Sequence, residues 1–327
     1  MSQTLKQWHD KITLAAQTLN NSQCPPHRTA VELSPFFSAG HHCHVYLKYE
    51  HMQYTGSFKY RGALHKLLSL TPAEQQAGVV TASSGNHGMA CAFAAAQLNI
   101  EASVFVPATA SEFKLAQISR LGAKVITVDG DCLDAEMQAL ATAKAQGTTY
   151  ISPYNDDEVI AGQGTIAVEL LAQLPDLDAV FVAVGGGGMV GGIGGYLKAE
   201  HPHIDVIGCW PEVAPAMAKC LEQGAIVNVD EAPTLSDGTA GNVEPGAVTF
   251  ELCQQVIDKR VYVSEAQIAT VIRQMAEHER QIIEGAAAVA IAGALALSEE
   301  YAHKQTAVIV CGRNIAYRKL CQILESR

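Results

Sequence analysis

Short β-prone runs and helical stretches take turns along most of this 327-residue chain. Residues 79–82 lead through a turn cluster to a helical stretch at 89–98, and 102–106, closed by Pro107, lead to a helix over 112–121. Residues 124–128, a helix over 134–146 and the pair 150–151 continue the series, and 179–184, 206–209, 261–263 and 307–310 extend it. Aliphatic runs of this length, each beside helical sequence, predict parallel βαβ units with helices on both faces. Ser264, three residues ahead of Gln267, has capping-box spacing before an apolar-periodic run and predicts a helix start. The pattern divides the chain into a small lobe, 78–150, and a large lobe made of 1–77 and 151–327. Ligands of open α/β sheets bind beyond the carboxyl ends of strands. Three chemically loaded loops fall at such ends.

The first is Gly185-Gly186-Gly187-Gly188-Met189, directly after Val184. Glycines cost strand and helix stability, so four in a row point to another use. They let backbone N–H groups approach an anion with no Cβ in the way, beside the positive end of the following helix. A flexible connection is the bland alternative. A dinucleotide site is another, though no acidic residue follows a second strand at the usual distance. The loop points to a phosphate without identifying its owner. The second loop contains Lys59, just inside a helix start, where the helix pole and any desolvation lower the amine's pKa and free a nucleophile. An ordinary surface lysine is the alternative. The third is Ser83-Ser84-Gly85-Asn86-His87-Gly88. Its hydroxyls, amide and helix-start N–H groups form a cradle for a carboxylate, where an ordinary N-cap needs one such residue.

Composition narrows the partners. Hydrophobic residues make up 48% of the chain and aromatics 6%, which suits buried parallel strands under alanine-rich helices. A formal charge of −11 argues against nucleic acid, whose phosphates demand clustered Lys and Arg. The nine cysteines form no CxxC pair, which reads as reduced thiols in the cytoplasm. The first residues lack an apolar run behind a basic segment, so no signal peptide is expected. The longest apolar stretch, 286–297, is too short for a bilayer and reads as a buried helix. His41-His42-Cys43-His44 resembles metal-ligand density but lacks a spaced second cluster, so no metal is expected.

Taken together, the loops resemble the serine/threonine dehydratase and serine racemase group of fold-type II pyridoxal-phosphate enzymes. The resemblance rests on Gly56-Ser57-Phe58-Lys59 with Arg61-Gly62-Ala63, the loop from Ser83 to Gly88, and Ala161-Gly162-Gln163-Gly164-Thr165. It continues through Gly185 to Met189, Ser236-Asp237-Gly238, Glu284 and Cys311-Gly312-Arg313-Asn314, in the family's order over nearly the whole chain. It implies an α/β fold like the tryptophan synthase β chain, with two open, mostly parallel lobes and pyridoxal 5'-phosphate between them. Lys59 would carry the cofactor as a Schiff base and move a proton at the substrate Cα. Gly185, Gly186, Gly187, Gly188 and Met189 would bind its phosphate. Asn86 would meet the ring's 3' oxygen, Phe58 would flank the ring, Glu284 would lie near it and Cys311 would face its nitrogen. Ser83, Ser84, Asn86 and His87 would hold the substrate carboxylate, and Asn155 matches a position near the substrate.

The implied reaction is β-elimination from a 3-hydroxy amino acid such as serine, threonine or 3-hydroxyaspartate, giving a 2-oxo acid and ammonia. Racemisation is the rival, with Ser84 as the acid/base opposite Lys59. A nicotinamide-dependent oxidoreductase using the glycine loop is the alternative from another class. The stretch from Trp210 to Ala216 holds one carboxylate, Glu212, where a serine racemase-like divalent site needs two, so no such metal dependence is expected. A homodimer is expected, without a membrane partner. So is the lack of a feedback domain, because about fifteen residues follow Cys311.

Overall fold

In the computed structural model, residues 4–39 and 43–326 are described, and their strands form two sheets. The strands are β1 (Val31–Leu33), β2 (His44–Lys48), β3 (Val79–Ala82), β4 (Ala102–Pro107) and β5 (Lys124–Val128). Then come β6 (Thr149–Tyr150), β7 (Ala179–Ala183), β8 (Asp205–Pro211), β9 (Lys259–Val263) and β10 (Gln305–Ile309). The four-stranded sheet has the order β5-β4-β3-β6 and is parallel throughout. The six-stranded sheet runs β1-β2-β10-β7-β8-β9, and β1 alone pairs antiparallel, setting Val31 opposite Lys48. This is the doubly covered α/β architecture that the alternation predicts.

Burial follows composition. Strand β7, Ala-Val-Phe-Val-Ala, is buried at every position. The helix Gly285–Ala296 has no polar face and is buried from Gly285 to Ala294, which is where the longest apolar stretch goes. Ser264 caps the helix Glu265–Gln274 through the expected reciprocal bonds with Gln267. The helix after β3 begins at Asn86, three residues earlier than its apolar pattern suggests, so the polar loop feeds straight into its first turn. The alternation gave no sign of β1 and β2. The reason is chemical: Lys48 ends β2 fully buried, and a lysine disguises a core strand unless its partners are known. His41 and His42 lie outside the described residues, while Cys43 is buried and His44 opens β2. No helix among the described residues is long and apolar enough to cross a membrane.

Candidate active site

The segment following β6 collects the site. Its Ile151 carbonyl accepts from Thr81 Oγ1 at 2.8 Å and lies 3.1 Å from His87 Nε2, which anchors the Ser83–Gly88 loop. Two residues on, the Pro153 carbonyl accepts from Lys59 Nζ at 2.8 Å. Next, Tyr154 lies across the glycine loop. A Cβ on Gly186 would sit 2.4 Å from its ring, and one on Gly188 would sit 3.1 Å from its Cα. Four consecutive residues, 151–154, thus tie all three loops together.

Lys59 is the first residue of the helix Lys59–Ser69, and its ammonium lies 5.1 Å from the centre of the Phe58 ring. Burial pulls its pKa down from 10.5 to about 8, against the upward pull of Cys91, Cys311 and Glu284. Far more of the amine is therefore free base near neutral pH than in an ordinary lysine, though the ammonium still predominates. Cys311 is buried just past β10, and its carbonyl accepts the Phe58 N–H at 3.0 Å. Burial first and the Glu284 charge second push its thiol well above the usual range, so it is neutral. Glu284 caps the helix Gly285–Ala296 from a buried position and has a pKa raised to about 7, chiefly by burial. Its Oε1 accepts from Asn86 Nδ2 at 2.8 Å.

The glycine loop has the shape an anion needs. Gly187, at φ +89°, caps the helix Gly188–Glu200, and Met189 is buried in that helix's first turn. Thr239 closes over Gly185, Tyr154 over Gly186 and Gly188, and Cys253 over Gly187, so side chains at these positions would have no room. The loop's main chain is left to line the helix's positive end. We expect Gly186→Ala to weaken cofactor retention by about ten- to a hundred-fold, since over-packing costs roughly 1–3 kcal/mol. The Tyr154 ring cannot easily yield, because its hydroxyl is held by the Glu244 N–H at 3.0 Å. Equilibrium dialysis against pyridoxal phosphate measures this, and parent-like affinity would show that the loop tolerates a Cβ.

Ser83 and Ser84 are half-buried ahead of the helix Asn86–Gln97, and Ser83 Oγ accepts from the Gly85 N–H at 3.2 Å. Two other side chains depart from expectation. The His87 ring is buried against the Ile151 carbonyl and lies 3.5 Å from Cys91 Sγ. Burial first and the Lys59 charge second lower its pKa to about 3, so the imidazole is neutral and only its main-chain N–H can serve an anion. Asn155 is likewise committed within the protein. Its Oδ1 accepts the Val248 N–H at 2.9 Å, at the first turn of the helix Val248–Val256. The residue against the glycine loop is its neighbour Tyr154, which the sequence reading passed over although it stands at the carboxyl end of β6. Among the described residues, no group of three or more His, Cys, Asp or Glu could hold a metal ion.

The residues fit pyridoxal phosphate. A glycine loop without room for Cβ atoms suits its phosphate, a desolvated amine suits its aldehyde, and the Ser57 hydroxyl beside Lys59 is buried without a partner. Comparison with known proteins agrees. The family model described as "pyridoxal-phosphate dependent enzyme" matches residues 25–312. The chain is similar to the L-threonine ammonia-lyase of Thermotoga maritima, at 38% identity over 96% of this chain and 77% of the relative. Among solved structures it resembles the processed form of threonine deaminase isoform 2 from Solanum lycopersicum, with a TM-score of 0.92 and 34% identity over 98% of this chain and 92% of that one. It also resembles maize serine racemase, with a TM-score of 0.89 and 28% identity over 96% and 95% of the two chains. With the fold, the loops and these likenesses in agreement, the chain belongs to the fold-type II pyridoxal-phosphate dependent enzymes.

Proposed function

We propose that the chain is a pyridoxal-phosphate ammonia-lyase that eliminates the β-hydroxyl of a small 3-hydroxy amino acid, such as serine, threonine or 3-hydroxyaspartate. The products are a 2-oxo acid and ammonia. The observation that carries this reading is the desolvated Lys59 amine, joined through Pro153 and Tyr154 to the glycine loop. When bound, the cofactor stabilises negative charge at the substrate Cα, so that a β-leaving group can depart. Lys59 would hold the cofactor and, as a free amine, would take the substrate's Cα proton. Gly185, Gly186, Gly187, Gly188 and Met189 hold the phosphate through main chain and helix pole. Phe58 flanks the ring. Ser83, Ser84 and the N–H groups of Asn86 and His87 hold the substrate carboxylate. The test is a panel of 3-hydroxy amino acids assayed for 2-oxo acid, and no product from any of them would refute the proposal.

Cys311 refines the mechanism. If Cys311 faces the cofactor's nitrogen, its buried neutral thiol would supply no anionic partner there, which would favour elimination over a long-lived carbanion. Cys311→Ser should keep substantial activity. Cys311→Asp should lose elimination or turn towards transamination, visible as pyridoxamine phosphate. If Cys311→Asp keeps the parent spectrum and rate, Cys311 does not face the ring.

Racemisation at Ser84 remains the second reading, favoured by the likeness to a serine racemase. Chiral analysis of recovered serine separates the two. We further propose that residues 78–150 form the small lobe, that the protein is a homodimer, and that it is cytoplasmic, a reading with which nine unpaired cysteines are consistent.

A further inference from the structure

Asn314, just past β10, is bonded on both sides by groups that fix which of its ends points where. Its Nδ2 donates to the Thr55 carbonyl at 2.8 Å and to Asn86 Oδ1 at 2.6 Å. Asn86 Nδ2 then donates to Glu284 Oε1 at 2.8 Å, and Glu284 Oε2 accepts the Asn314 main-chain N–H at 2.9 Å. A peptide carbonyl accepts only. The Thr55 carbonyl therefore fixes the Asn314 amide with its nitrogen inward, and that nitrogen in turn fixes the oxygen of Asn86 towards it. Asn86 therefore has its oxygen occupied and one N–H committed, and its second N–H is left over.

The ring of side chains has little freedom to rearrange. A Cβ on Gly312 would fall 2.3 Å from Glu284 Oε1, and one on Gly56 would fall 2.8 Å from Asn314 Oδ1. Both side chains are thus packed flat on glycine backbone. The ring also bridges the two sheets, since Asn86 opens the helix after β3 while Asn314 follows β10.

We propose that Asn314 is a positioning residue that, with Glu284, locks the Asn86 amide as a hydrogen-bond donor towards an anionic oxygen of the bound cofactor. This rests on the reading that Asn86 faces the cofactor. Asn314→Asp keeps the volume but replaces the donor with acceptors, setting carboxylate oxygens against both Asn86 Oδ1 and the Thr55 carbonyl. Asn314→Ala merely removes the lock.

The test uses the cofactor-loaded protein without substrate. It reads the dissociation constant for pyridoxal phosphate and the visible absorption band, with thermal melting of the cofactor-free form to verify folding. A lost or misdirected hydrogen bond to a charged group predicts about ten-fold weaker retention for Asn314→Ala and about a hundred-fold for Asn314→Asp, with a shifted band in both. A packing role alone predicts the reverse order, because Asp preserves shape, and that order would overturn the proposal. Asn86→Ala separates the two layers. Unchanged retention there would refute the placement of Asn86 at the cofactor, whereas a loss there without a loss at Asn314 would refute only the positioning role. Should Asn314→Asp not fold, Asn314→Ser supplies the comparison. Restoring one donor, it should retain cofactor better than Asn314→Ala, and equality would count against the lock.

Discussion

Lys59→Ala is expected to lower turnover by about 10³-fold or more, the scale of a missing general base, while leaving the protein folded. The fold should survive because the ammonium donates to one carbonyl, that of Pro153, and because burying it disfavours its charged form. That burial has a signature of its own. With the folded pKa near 8, below the amine's ordinary 10.5, the unfolded chain binds more protons between those values. Stability of the cofactor-free parent therefore gains from this group as pH rises through that window, and is penalised by it below about 8. Lys59→Ala should remove this gain, so the two proteins' stabilities should converge at high pH. Urea unfolding at pH 7.5 and pH 10.5 measures the difference, and parallel behaviour would mean that Lys59 is solvated.

Arg61→Met is expected to destabilise the cofactor-free protein by about 3–5 kcal/mol, the usual cost of stranding one member of a buried ion pair. Arg61 is fully buried and forks between two carboxylates. Its Nε reaches Glu50 Oε2 at 2.7 Å, and its Nη1 reaches Glu169 Oε1 at 2.8 Å. Glu169 also takes Lys48 Nζ at 2.6 Å, so two cations and two carboxylates neutralise one another behind the Lys59 helix. Removing the guanidinium leaves Glu50, with no exposed surface, to the Thr29 hydroxyl, a long bond from Gln53 and the more distant charge of Lys48. Arg61→Lys should not restore stability, since a single ammonium cannot fork to both carboxylates. Chemical denaturation decides this, and a loss below about 1 kcal/mol would mean that water or rearrangement compensates the charge.

How far the site could be read in advance depended on residue type. Glycine runs, a lysine at a helix start and a hydroxyl-rich loop carry their chemistry in their composition, so the three loops were legible. Side-chain direction was not. His87 lies four residues before Cys91 on one face of its helix, and that face is the buried one, so its ring turns inward while its N–H stays at the helix start. Helical phase carries that warning, since Ala90, Cys91 and Ala94 are all apolar. The tetrad of Lys48, Glu50, Arg61 and Glu169 could not be read at all. Arg61 and Glu169 are 108 residues apart, and a charged residue seen alone is most simply assigned to the surface. Tyr154 was hidden for a related reason, because it follows β6 of the four-stranded sheet and meets the glycine loop, which follows β7 of the six-stranded sheet, only in the folded chain.

The central claim is that Lys59 carries the cofactor, and borohydride reduction of the loaded protein followed by tryptic mass spectrometry tests it directly. Reduction makes the imine permanent and blocks cleavage after Lys59, so the pyridoxyl mass should appear on a single peptide spanning residues 49–61. The visible band should bleach at the same time. A pyridoxyl group on Lys66 or any other lysine, or no stable adduct, would contradict the account.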